Sequence, residues 1–295
     1  MSKENSTTET TTVATVMPFP YFGKKTNVAP QVWGLLGDVQ RYIEPFCGAC
    51  AVLLNRPHDY TRRYETINDK DAHLTNLLRA IKYAPEELGG TVNRMPVSRI
   101  ELIAANNDVR RNEETLRDKL IERGDFYSLN DAATYYTILC DSIHAGKPGL
   151  RRTDETHHRL AYRNTLDKIF TQLSHRFQHV CIHSSSWETL LTPAQLRSPT
   201  GVYLDPPYDK TERVYRQRNR VSADVEAWCL EQTGGPHRIV LSGYDSEHDT
   251  LLDHGWRKVE TLKATSAGGA LSNTTNTEQL WYTPNCIHPT EETLF

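Results

Sequence analysis

Residues 201–208 read GVYLDPPY, and this stretch decides the architecture. GVYL is a short apolar run with β-branched and aromatic members, the composition of a buried strand. Pro206 and Pro207 end it, fixing φ and removing two backbone donors, so a stiff turn follows the strand at once. The turn sets the Asp205 carboxylate, the neighbouring carbonyls and the Tyr208 ring beyond the strand end. Carboxylate and carbonyl can accept the two hydrogens of a planar amine while the ring stacks on its face.

Outward from that stretch, strands and helices alternate. Upstream, RYIEPF (41–46) reads as a strand, CGAC (47–50) as a tight turn and AVLLNR (51–56) as a helix. YETIN (64–68) is a second strand running into Asp69. It is followed by DAHLTNLLRAIKY (71–83), whose Leu74, Leu77, Leu78 and Ile81 share one helical face. A helix over 159–177 leads to the strand HVCIH (179–183). Downstream come the helix ADVEAWCLEQ (223–232), the strand RIVLSG (238–243) and the short helix SEHDTLLDH (246–254). The strands WRKVETLK (256–263) and EQLWYTP (278–284) close the chain, joined by a Gly/Ser/Asn/Thr-rich connection. This pattern predicts an α/β fold: a mostly parallel, seven-stranded Rossmann-like sheet with a terminal antiparallel hairpin. Residues 85–165 break the alternation and are charge-rich and mainly helical, best seen in ETLRDKLIER (114–123) and AATYYTILC (132–140). They are predicted to be an inserted helical subdomain. The main domain then comprises 17–84 and 166–288, with 1–16 a disordered Ser/Thr-rich tail.

Composition narrows the function. With 34 basic and 37 acidic residues among 295, the net charge is −3, so any nucleic-acid contact must come from local patches. Two such patches stand out. One surrounds Arg151 and Arg152; the other, directly after DPPY, holds Lys210, Arg213, Arg216, Arg218 and Arg220. No apolar run is long enough to span a membrane, and 1–16 lacks the apolar core of an export signal, so a cytoplasmic protein is expected. The six cysteines give neither a disulfide framework nor a completed zinc site, and no metal is expected.

DPPY, together with EPFCGAC (44–50) and PYFGKK (20–25), resembles the Dam-like DNA adenine methyltransferases, in which these blocks occur in the same order around a target-recognition insert. The resemblance spans roughly 17–285 and implies methyl transfer from S-adenosylmethionine to the N6 amine of a flipped adenine in duplex DNA. It also implies a bacterial or phage-infected cytoplasm, and it allows a cognate restriction endonuclease as partner. Carried over by position, Asp205, Pro206, Pro207 and Tyr208 become the catalytic set. Tyr21, Gly23, Lys25, Glu44, Phe46, Gly48, Asp69, Ser186 and Asp205 become the cofactor set. Lys25 would meet the cofactor carboxylate and Asp69 the ribose hydroxyls, and the 85–165 insert would recognise the target. LSGYDSEH (241–248) would wall the base pocket, and Glu278 fits the family's last strands. The chain departs from the pattern at Cys50, where a second glycine is usual, and at Lys24, also usually glycine. After the third strand, where an acidic residue is usual, stand Ser184, Ser185, Ser186 and Trp187.

Other readings stay open at this level. CGAC between strand and helix also fits a thiol oxidoreductase. A catalytically decayed cofactor- or DNA-binding relative, or transfer to the cytosine amine, would share most of the same residues. Methylation at cytosine carbon 5 is excluded, because its Pro-Cys nucleophile does not occur.

Overall fold

A computed structural model describes residues 19, 25–57, 59–95, 99–144, 147–150, 165–197, 199–207, 218–261 and 278–287. In chain order the helices are α1 (Ala29–Leu36), α2 (Ala51–Leu54), α3 (Ala72–Tyr83), α4 (Pro85–Arg94), α5 (Arg99–Glu122), α6 (Leu129–Asp141), α7 (Leu166–Phe177) and α8 (Arg218–Glu231). The strands are β1 (Arg41–Glu44), β2 (Tyr64–Asn68), β3 (Ser142–His144), β4 (Lys147–Leu150), β5 (Val180–His183), β6 (Thr200–Leu204), β7 (Arg238–Tyr244), β8 (Arg257–Glu260) and β9 (Glu278–Tyr282).

Seven strands form one sheet in the order β5-β2-β1-β6-β7-β9-β8. The first five pair in parallel, and β9 runs antiparallel to both β7 and β8. The predicted terminal hairpin is present, but its second strand inserts between β7 and β8. The chain leaves β1 towards β2 and β5 on one side, and returns through β6 and β7 on the other. The seam between β1 and β6 is therefore the point where ligands bind to such sheets, beyond the carboxyl ends of the strands.

Alternation along the strands builds two cores. Tyr42, Tyr203, Val240, Leu280 and Tyr282 face an apolar layer with α1, α3 and α7; Ile43, Val202, Leu204, Ile239, Leu241 and Trp281 face Trp187, Val225, Cys229 and Trp256. Every residue of β6 is buried, as befits a central parallel strand covered on both faces. The α4 and α6 helices of the inserted stretch join the first core through Leu88, Val92, Ala133 and Tyr136. Arg79, 3% exposed, ties α5 to the sheet, donating to the carbonyls of Leu120, Arg123 and Ile182.

Some elements were not predicted. The α1 helix carries a proline in its first turn and ends at Gly37, whose φ of 63° takes the left-handed region. The α4 helix, inside the stretch predicted to be mainly helical, begins with Pro85, Glu86 and Glu87, all favourable at a helix start. Within the stretch read as helical, β3 and β4 form an antiparallel pair whose strands are too short for alternation to show. The predicted start of a helix at 159, and the tail 1–16, lie outside the described residues.

Candidate active site

The carboxyl ends of β1, β2 and β6, with the amino end of β9, bring four acidic residues and one lysine together. Glu44 ends β1 and is 2% exposed; Tyr42, two residues back on the same face, donates its hydroxyl to Glu44 Oε2 at 2.9 Å. Burial pushes the Glu44 carboxyl up to about 8, with the nearby Asp205 charge adding to the rise.

Next to it, the EPFCGAC loop turns at Gly48, where φ is 48°, and its N–H donates to Asp69 Oδ2 at 3.0 Å. Cys50 also adopts a left-handed conformation, with φ 59° and ψ 30°. The loop thus keeps the path a second glycine would take, at a cost of about 1–2 kcal/mol for the side chain. Burial pushes both the Cys47 and Cys50 thiols up, which withholds the thiolate that a thiol oxidoreductase needs.

Asp69 follows β2 and accepts from Gly48 and, at 3.0 Å, from the Asp71 N–H. The helix cap belongs to Asp71, which accepts from the N–H groups of His73 and Leu74, so Asp69 is spared that ordinary duty. Burial raises the Asp69 carboxyl to about 6. Asn68, 1% exposed and not singled out from sequence, stitches the loops together: its amide donates to Pro45 O and Ser185 O and accepts from Ser185 N–H. Its signal was a polar residue closing an otherwise half-buried strand.

Glu44 and Asp69 bind protons more tightly folded than unfolded. Their contribution to stability is therefore full below the ordinary carboxyl range, falls as pH rises through it, and levels off above about 8. Glu44→Gln is expected to remove the part of this decline between about pH 6 and 8, so that the parent loses about 2–3 kcal/mol more than the variant over that interval. Urea midpoints at the two pH values measure it; an equal decline in both proteins would contradict the assignment.

After β5, Ser186 is exposed and its hydroxyl donates to Glu188, the acidic residue directly after Trp187. Ser184 is 3% exposed, and its Oγ has no hydrogen-bond partner among the described residues. Phe46 lies 6.2 Å from Trp187, ring centre to ring centre, forming an aromatic wall beside the same loop.

Asp205 follows β6, with Pro206 buried behind it. Lys25 is 7% exposed; its Nζ lies 3.0 Å from Asp205 Oδ1 and also contacts Glu278 Oε1. Burial would lower the Lys25 ammonium, but the two carboxylates outweigh it and hold it raised. Lys25 was expected at a cofactor carboxylate; here it grips the first residue of DPPY. Tyr244, at the end of β7, sits opposite Glu278 across the sheet, and burial raises its phenol.

Tyr21, Gly23, Tyr208, Lys210, Arg213, Arg216, Arg151 and Arg152 lie outside the described residues. Arg218 and Arg220 lie on the first turn of α8, without described side chains. Among the described residues no group of three or more His, Cys, Asp or Glu could hold a metal ion, and no helix is long and apolar enough to cross a membrane.

No curated protein matches the chain. The model of one family does, over residues 21–226, a span that runs from the PYFGKK block through Glu44, Asp69 and Asp205 into α8. With a mostly parallel sheet whose acidic residues meet at its β1–β6 seam, and with more than two thirds of its length matched, the chain belongs to the D12 class of N6 adenine-specific DNA methyltransferases.

Proposed function

We propose that the chain transfers a methyl group from S-adenosylmethionine to adenine N6 at the seam between β1 and β6. The observation that carries this reading is the convergence of Glu44, Asp69 and Asp205 at neighbouring strand ends, two of them with carboxyls raised by burial. Asp69, which accepts from the Gly48 N–H at the loop's turn, and Glu44 on the neighbouring strand end supply polar groups suited to a cationic, hydroxyl-bearing donor. Glu44, Gly48 and Asp69 would hold the methionine and ribose parts, with Phe46 and Ser186 at the adenine and Tyr21, Gly23 and Lys25 completing the set. The donor supplies an electrophilic methyl group on a sulfonium.

The chain's own residues prepare the nucleophile. An adenine amine is weakly nucleophilic because its lone pair is shared with the ring. Asp205 accepts one amine hydrogen and the Pro206 carbonyl the other, which draws the nitrogen towards tetrahedral geometry and frees the pair for in-line attack. Pro207 keeps the turn rigid, and Tyr208 stacks on the flipped base, offsetting part of the few kcal/mol that flipping costs. Asp205 takes the proton once the new bond has formed.

We assign target recognition to residues 85–165, and the phosphate grip to Lys210, Arg213, Arg216, Arg218 and Arg220, with Arg151 and Arg152 as a second patch. Neutralising Arg216, Arg218 and Arg220 together is expected to lower the slope of log affinity against log salt by about 2–3, roughly 0.9 per lost phosphate contact. An unchanged slope would remove the assignment. A cytoplasmic location and a cognate restriction endonuclease as partner complete the reading.

The decisive experiment incubates the protein with methyl-labelled S-adenosylmethionine and mixed-sequence duplex DNA, then identifies the labelled nucleoside after digestion. Label in N6-methyladenine is the expected result. Label in a cytosine would overturn the substrate, and no label despite donor binding would favour a decayed relative.

A further inference from the structure

The ion cluster at Asp205 pairs one ammonium with two carboxylates. Lys25, almost buried, meets Asp205, and Glu278 is brought to the same ammonium from a strand at the far end of the sequence. The three N–H donors of a buried ammonium accommodate a second acceptor, and Glu278 adds a full negative charge beside Asp205 as it does so.

Its placement is rigid. The β9 strand enters the sheet antiparallel to β7, so its first residue stands at the carboxyl end of the parallel strands, opposite Tyr244. The Glu278 carbonyl accepts from both the N–H and the hydroxyl of Thr261, at 3.1 and 3.0 Å, which holds the backbone from the β8 side.

We propose that Glu278 is a positioning residue for methyl transfer, acting through Lys25 on Asp205. This rests on the role given to Asp205 above. Glu278 draws part of the ammonium's charge away from Asp205, and it fixes Lys25 on Oδ1 so that the carboxylate has one orientation towards the amine. It also sets the sign of the ion cluster around Lys25. One ammonium and two carboxylates sum to −1. A cluster of net −1 favours the positive charge that develops on the amine nitrogen as its lone pair is spent; with Lys25 and Asp205 alone it would be neutral.

The test is steady-state methylation of duplex DNA by the parent chain, Glu278→Gln and Glu278→Asp. Glu278→Gln is expected to lower kcat about tenfold, less than the loss of a donor in direct contact with the reacting group, with KM for DNA and methyl donor unchanged within about twofold. Glu278→Asp restores most of the rate, because it restores the charge. Unchanged kcat in Glu278→Gln overturns the proposal. So does a rise in the donor's KM at constant kcat, which would place Glu278 in donor binding, or an equal loss in Glu278→Asp, which would make its role one of packing. A parent chain that methylates no adenine overturns the reading of Asp205 itself; an active parent with an indifferent Glu278→Gln overturns this inference alone.

Discussion

Asp205→Ala is expected to cut the rate of methyl transfer to adenine by about 10²–10⁴-fold, the range lost when a positioned proton acceptor is removed. The carboxylate is held by the end of β6, by the buried Pro206 behind it and by Lys25 at 3.0 Å. Alanine removes the acceptor and leaves Lys25 paired with Glu278, so the amine loses its partner while the strand and turn keep their path. Single-turnover transfer, measured beside donor binding by calorimetry, separates chemistry from affinity: the rate should fall far more than the binding does. Asp205→Asn should be almost as slow, since the amide can present a donor where the amine needs an acceptor. Activity in Asp205→Ala within tenfold of the parent would place the chemistry elsewhere.

Glu65→Ala is expected to destabilise the fold by about 3–5 kcal/mol, the cost of stranding buried charges. Glu65 is the second residue of β2, at the opposite end of that strand from Asp69, and its side chain is 2% exposed. It accepts from Arg176 at 2.6 and 2.9 Å and from Arg56 at 3.1 Å, and the Arg56 side chain is wholly buried. Asp38, 43% exposed, gives Arg56 a second partner, and Arg176 lies 3.9 Å over the Tyr60 ring. Neither replaces a carboxylate shared by two desolvated guanidinium groups. The loss is read from urea unfolding. Because the cluster is remote from Asp205, folded Glu65→Ala protein should keep its transfer rate at low temperature. A loss below about 1 kcal/mol would reduce the cluster to the standing of an exposed ion pair.

These two residues differ in how far the sequence reveals them. Asp205 is legible because everything that makes it useful is local: an apolar strand before it and two prolines after it. Glu65 is one acid among many, and its value comes from Arg56 and Arg176, which only folding brings near it. The same contrast runs through the site. Asp69 could be placed at a strand end from YETIN and the helix beyond, but whether it or Asp71 capped that helix depended on loop geometry. Cys50 reads as a defect beside the family's glycine until its left-handed backbone is seen. Glu188 was passed over because the turn that brings it back to Ser186 leaves no mark in spacing.

Strand-and-helix alternation, the stiff turn after β6 and the order of the family's blocks follow from side-chain chemistry within a few residues, so they could be read along the chain. The insertion of β9 between β7 and β8, the docking of α4 and α6 onto the main core, and the meeting of Lys25 with Asp205 and Glu278 could not. Those contacts join residues far apart in sequence. They are decided by which faces must be buried together and which charges must be paired once water has left.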